Sequence, residues 1–197
     1  MRFIALFTFL LATATAVAQP ATKRFNINRM YTGGSLGLGG GTGFFSFGVN
    51  PELGYSLNNW IDVGVAGAAN YFRFRQDFIG GGGNFSTIQR STQLGGGVYV
   101  RVYPLPQFFI QLQPEWNSVS SRLTASNSPN EQRFTTNSSS LIGAVGYTQR
   151  VVGQTAFYFL VGTDLGTDIN SPYRNITTNG GNIILRSGFN FYLGRRR

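Results

Sequence analysis

From residue 183 onward the chain alternates apolar and polar side chains with a period of two. Ile183, Leu185, Phe189, Phe191 and Leu193 share one parity, and Arg186, Gly188 and Asn190 the other, with amphipathic Tyr192 among them. Successive side chains on a β-strand point to opposite faces, so this segment reads as a strand with one greasy and one polar side. The same pattern recurs along most of the chain, with almost no helical period. A sheet built from such strands has either one wet face or one face against lipid.

Eight strand-like segments follow from this reading: residues 30–40, 45–57, 60–73, 91–103, 107–119, 134–149, 154–168 and 183–193. The first is glycine-rich and its facing is not decided by its residues. The others are far longer than the ~5–6 residues usual in soluble sheets, and suit the ~9–11 residues of a tilted membrane crossing with some overhang. The connections alternate in length. Asn58-Asn59, Pro104-Leu105-Pro106 and Arg150-Val151-Val152-Gly153 form short turns. Residues 76–89, 120–133 and 169–180 form longer links rich in loop residues. The link near Gly41-Thr42-Gly43 is a short exception. Short turns at one rim and long loops at the other are the pattern of a membrane barrel, and an even strand count puts both ends of the barrel chain at the short-turn rim, the periplasmic side.

The polar parity carries Glu52, Asp62, Arg101, Glu115, Asp164 and Arg186. An Arg facing lipid at mid-bilayer costs ~2–4 kcal/mol, so in a membrane barrel these six point inward. Two arginines among several carboxylates in a narrow interior are expected to pair, because an unpaired buried charge is heavily penalised. The alternative is that some sit near a rim in water. The apolar parity carries the expected lipid-facing set: Phe47, Val49, Leu53, Val63, Val65, Val98, Val100, Ile110, Leu112, Phe157, Phe159, Val161, Leu185, Phe189 and Phe191. Tyr55, Trp60, Tyr71, Phe108, Trp116 and Tyr147 lie near strand ends, where interfacial aromatic girdles sit. Aromatics also favour strands for their own sake.

Composition discriminates between the wet-face and lipid-face readings. Charged residues make up 12% of the 197, about half the roughly 25% of a soluble domain. A soluble eight-stranded barrel of lipocalin type would carry many Lys and Glu outside. Here the polar parity is mostly Gly, Ser, Asn and Gln. The net charge of +9 is almost all arginine and is scattered, apart from Arg195-Arg196-Arg197. Basic charge without a patch is a weak pointer to nucleic acid, and no nucleic-acid partner is expected.

The start of the chain reads as an export signal. Arg2 precedes an apolar run over residues 3–11, then small residues ending Ala16-Val17-Ala18. The expected organisation is a signal peptide at 1–18, an extended periplasmic lead-in at 19–29, an outer-membrane barrel domain at 30–194 and a basic tail at 195–197. Export without cysteine fits a bacterial envelope better than a disulfide-held secreted domain.

With these features the chain resembles the small eight-stranded outer-membrane β-barrels of OmpA/OmpX type. The likeness covers residues 30–193. It is carried by the strand–turn–strand corner Pro51-Glu52-Leu53-Gly54-Tyr55-Ser56-Leu57-Asn58-Asn59-Trp60, by Gly97-Val98-Tyr99-Val100-Arg101-Val102-Tyr103, and by Gly188-Phe189-Asn190-Phe191-Tyr192-Leu193. The resemblance implies an all-β, antiparallel up-and-down transmembrane barrel in the bacterial outer membrane. It also implies outer-membrane lipid as surroundings, insertion by the barrel-assembly machinery through an aromatic last strand, and a structural or adhesive role. The chain departs from the family by running on past Leu193 into Gly194 and three arginines.

The chain has no histidine and no cysteine. That removes a Ser–His triad, an imidazole base, His-ligated metals and thiolate chemistry. The seven acids show no spacing that favours acid–base catalysis. The glycine runs at 37–41 and 80–83 lead into no helix and lack a Gly-Lys-Ser/Thr ending, so they read as packing and loop glycines. No catalytic residue, cofactor or metal site is expected. The function expected is a non-enzymatic barrel that acts through its long external loops on an extracellular or envelope partner the sequence does not name. The alternatives are a narrow pore or ion-leak channel and, behind it, a soluble ligand carrier.

Overall fold

A computed structural model describes residues 26–194, apart from 42, 81–82, 126–130 and 175–179. The stretch read as an export signal and the basic tail lie outside the described residues, as does most of the segment read as a lead-in. The lead-in's last residues form a 3-10 turn (Ile27–Arg29), with the Asn26 side chain accepting from the Asn28 amide.

Eight antiparallel strands follow, each paired with its chain neighbours, and β1 pairs with β8 to close the ring. They are β1 (Met30–Gly41), β2 (Phe44–Ser56), β3 (Ile61–Gly80), β4 (Gly83–Leu105), β5 (Phe108–Ala125), β6 (Gln132–Thr148), β7 (Ala156–Asp164) and β8 (Ile184–Tyr192). The all-β, eight-stranded, up-and-down architecture read from the alternation is the one observed. Closure removes the free edges that an open sheet would present.

The wall is taller on one side than the alternation suggested. Residues 76–89, read as a glycine-rich loop, instead continue β3 and β4 as a two-stranded ribbon paired out to Gly80 opposite Gly83. Residues 120–133, also read as a loop, are strand up to Ala125 and again from Gln132. Here cross-strand hydrogen bonding outweighs loop-like composition, because each added pair satisfies backbone groups already aligned by the strands below. In the other direction, β7 ends at Asp164 and β8 starts at Ile184, so the long link at this rim spans 165–183.

Facing along β1, undecided by its residues, is set by register. Tyr31 and Ser35 are buried inside, while Leu36 and Leu38 are exposed outside. The Tyr31 and Tyr99 rings lie against Gly54 and Gly64 on β2 and β3. A side chain at either glycine would collide with a ring, so these two glycines make room for two interior tyrosines.

At the short-turn rim, the β2–β3 corner is closed by one side chain. Asn58 Oδ1 accepts from the amides of Trp60 (2.8 Å) and Ile61 (2.7 Å), and the Leu57 amide donates to the Ile61 carbonyl at 3.0 Å. Replacing Asn58 with Ala is expected to cost about 1–2 kcal/mol, read as a lower urea midpoint of the folded barrel with unchanged heat-dependent gel mobility. A midpoint equal to that of the parent would mean the turn holds without this side chain.

Candidate functional site

The strand pleat sends one parity of every strand to the axis, and the interior is a stack of polar layers with aromatics wedged between them. In the middle layer, Arg101 on β4 and Glu52 on β2 form a two-bonded pair, with Nη2 on Oε2 at 2.7 Å and Nη1 on Oε1 at 3.1 Å. Arg101 is 1% exposed and Glu52 7%. The guanidinium also donates through Nε to Gln111 at 2.6 Å. Its centre lies 4.6 Å from the ring centroids of both Tyr99 and Tyr158, and 5.3 Å from that of Phe109. A planar, weakly hydrated cation suits such an aromatic slot far better than an ammonium would.

Toward the short-turn rim, Asp62 holds Arg150 at 2.5 Å and accepts from the Tyr103 hydroxyl at 2.9 Å. Arg150 also donates to the Asn59 carbonyl (2.7 Å) and the Ser56 hydroxyl (3.0 Å), with its charge 4.2 Å from the Tyr103 ring centroid. Asp62 therefore pairs with a turn residue, not with either arginine of the polar parity. Tyr103, Phe109, Ala144, Tyr158 and Leu160 pack as one apolar cluster in this half.

Toward the opposite rim, a chain of amides continues the network. Gln111 donates to Gln113 and Gln113 to Glu115 (2.7 Å), whose Oε1 also accepts from Arg186 at 3.5 Å. Arg186 and Gln93 both donate to the Tyr173 hydroxyl, at 3.2 and 2.9 Å. Tyr173 belongs to no strand. The link after β7 brings this ring inward, where it is buried with Phe72, Ile142 and Ile184. Asp164 stays apart from the arginines. Its carboxylate takes the amides of Leu141 and Gly166 (2.9 and 2.8 Å) and the Ser171 hydroxyl (2.5 Å), which ties the root of that loop. Farther along, Asp168 accepts from the Ser139 amide at 2.8 Å and the Asn170 amide at 3.0 Å. These two backbone donors, Ser139's first, hold its carboxyl below the usual carboxylate range.

All six charges of the polar parity are thus buried. Four meet as Glu52–Arg101 and Glu115–Arg186, and two find other partners. Of the apolar parity, Phe47, Val49, Leu53, Val65, Val98, Val100, Ile110, Leu112, Phe157, Phe159, Val161, Leu185, Phe189 and Phe191 are exposed on the outer wall. Val63 is half-buried there. Trp60, Tyr71, Phe108, Trp116 and Tyr147 are exposed, and Tyr55 is half-buried. Contributors to the interior that were not singled out from the sequence include Arg150, Tyr31 and Tyr173. Tyr31 lies on β1, whose glycine-rich residues leave its facing open. Arg150 and Tyr173 lie in connections, where no alternation marks which way a side chain turns.

Outward apolar rows around an interior of buried polar and charged side chains define the class: a small closed antiparallel β-barrel built inside out relative to a soluble one. In architecture it is the up-and-down barrel shared by the small eight-stranded outer-membrane proteins of OmpA/OmpX type. No family model and no curated protein matches the sequence. Among solved structures, Acinetobacter baumannii CarO superimposes with a TM-score of 0.49 at 9% identity, over 81% of this chain and 96% of that one. Neisserial surface protein A gives 0.41 at 12%, over 83% and 95%. Ail, the attachment invasion locus protein of Yersinia pestis, gives 0.35 at 11%, over 82% and 92%. The fold assignment rests on the closed hydrogen-bonded ring.

Proposed function

We propose that this chain is exported to the bacterial outer membrane and resides there as an integral, non-enzymatic barrel with a structural or surface-interaction role. The observation that carries this reading is the pairing of an exposed apolar wall with buried Arg–Glu pairs, an arrangement unstable in water and stable in a bilayer. A closed, side-chain-filled interior favours a barrel that does not conduct. The aromatic cluster around Arg101 and the inward Tyr173 occupy the axis at two levels, as eight-stranded barrels commonly do. The want of histidine and cysteine argues against the usual acid–base and nucleophilic chemistries. The tall β3–β6 wall and the last link are the parts that reach an external partner.

Fractionation of the envelope and planar-bilayer recording test this together. The protein is expected in the outer-membrane fraction, with gel mobility that changes on boiling and no discrete conductance steps. Recovery in the soluble fraction without detergent would sink the membrane reading, and well-defined single-channel steps would sink the closed interior.

A further inference from the structure

Four arginines separated in sequence form one transverse row. Arg73 on β3 stands opposite Arg90 on β4, Arg90 opposite Arg122 on β5, and Arg122 opposite Arg133 on β6. All four are exposed, and their inward neighbours Phe72, Ser91 and Ser121 are buried, so the arginines face outward. With strands ~4.8 Å apart, the row spans about 14 Å. Like charges directly opposite each other across strands repel and destabilise the pairing. Among the described residues, the carboxylate that meets this row is Glu131, 3.6 Å from Arg122 and 3.2 Å from Arg133. Three net positive charges remain along the row.

The row's height above the apolar wall indicates what would neutralise it. The continuous apolar wall ends at Tyr71 on β3, Leu94 on β4, Trp116 on β5 and Leu141 on β6, and half-buried Ile88 on β4 shares the outward parity above the row. From those four wall ends the respective arginines lie two, four, six and eight residues farther along. On strands tilted ~35–45°, a row at right angles to them climbs about 9 Å over its length, from about 5 Å above the wall at Arg73 to about 14 Å at Arg133. A phospholipid headgroup reaches only its foot. A lipid with an extended, phosphate-bearing sugar headgroup would lie along the whole of it, its acyl chains against Leu94 and Trp116. Guanidinium forks are suited to phosphate.

We propose that this row is a binding site for the phosphates of an anionic glycolipid in the leaflet at the tall rim. The inference rests on the membrane reading above. The full chain, purified in zwitterionic detergent, would be titrated with three lipids and followed by native mass spectrometry: rough lipopolysaccharide with a phosphorylated core, the same lipid dephosphorylated, and phosphatidylglycerol. The expected result is retention of the phosphorylated glycolipid at least about tenfold tighter than of either other lipid, weakening with salt. Replacing all four arginines by Gln should weaken it roughly 600-fold, at about fivefold for each of the four charges lost. Glu131→Gln works in the opposite direction and should tighten binding about threefold.

Equal retention by the four-Gln variant, or no gain with Glu131→Gln, would overturn the site. Displacement by inorganic phosphate at equal concentration, or equally tight capture of a sulfated oligosaccharide with no acyl chains, would overturn the lipid as its source. Insertion into phosphatidylcholine vesicles, scored by gel mobility before and after boiling, separates the two readings. A barrel that inserts but shows no phosphate preference refutes the site alone. A chain that does not insert refutes the membrane assignment.

Discussion

Arg101→Met is expected to destabilise the barrel by about 3–5 kcal/mol, the largest effect of any single side-chain replacement considered for the interior. The substitution keeps an unbranched apolar stem and removes the guanidinium with its charge. Glu52 then remains a buried carboxyl stripped of both guanidinium bonds. Gln111 loses the donor to its Oε1, and Tyr99, Tyr158 and Phe109 lose the cation at their faces. Adding Glu52→Gln should recover much of the loss, because the cost of the single variant is chiefly the orphaned charge and not the absent pair. Urea unfolding of the refolded protein in vesicles measures both. A single variant within about 1 kcal/mol of the parent, or a double variant no better than the single, would mean the pair is not what holds these strands in register.

The second large effect comes from the opposite face. Val98 lies on the outer wall, directly across from Val65, which in turn faces Leu53. Val98→Arg should cost about 2–4 kcal/mol in a bilayer, since the guanidinium must be held in hydrocarbon or drag water to it. At Asn137, outward but above the wall's apolar rows, the same replacement should cost about 0–1 kcal/mol. The comparison needs folding free energies in vesicles for the parent and both variants. Equal costs at the two positions would mean that Val98 does not sit in lipid, and the proposed residence would fail with it. In water, a surface Val→Arg change away from special features falls within about 0.5 kcal/mol, so the test has a wide margin.

Several features were legible before any coordinates. Phe45, Phe47, Val49, Leu53, Tyr55 and Leu57 alternate with Ser46, Gly48, Asn50, Glu52, Gly54 and Ser56, and a pleated backbone can sort such a series in only one way. The strand count and the facing of every strand but β1 follow from that sorting, and the short turns imply the antiparallel order. The ends of β3, β4 and β5 were not legible. Gly80 to Gly83 and the Ser/Asn/Thr stretch near 120–130 have loop composition, yet residues flanking them pair because the strands beneath already align them. The inward turn of Tyr173 was hidden for a related reason. A side chain in a connection has no fixed parity, and its burial depends on whether a cavity of matching shape waits for it.

The chain by itself determined that a barrel forms and which parity of β2 to β8 faces its axis, because a period of two is local and needs only the strand pleat to act. Tertiary structure alone decided which charges meet. Asp62 takes Arg150 from a turn, Glu52 takes Arg101 from two strands away, and Arg73, Arg90, Arg122 and Arg133 fall into line from positions that look scattered in sequence. Those partnerships depend on register and closure. A shift of one residue between neighbouring strands would invert a whole face and separate every pair, and no property of one strand read alone sets its offset from the next.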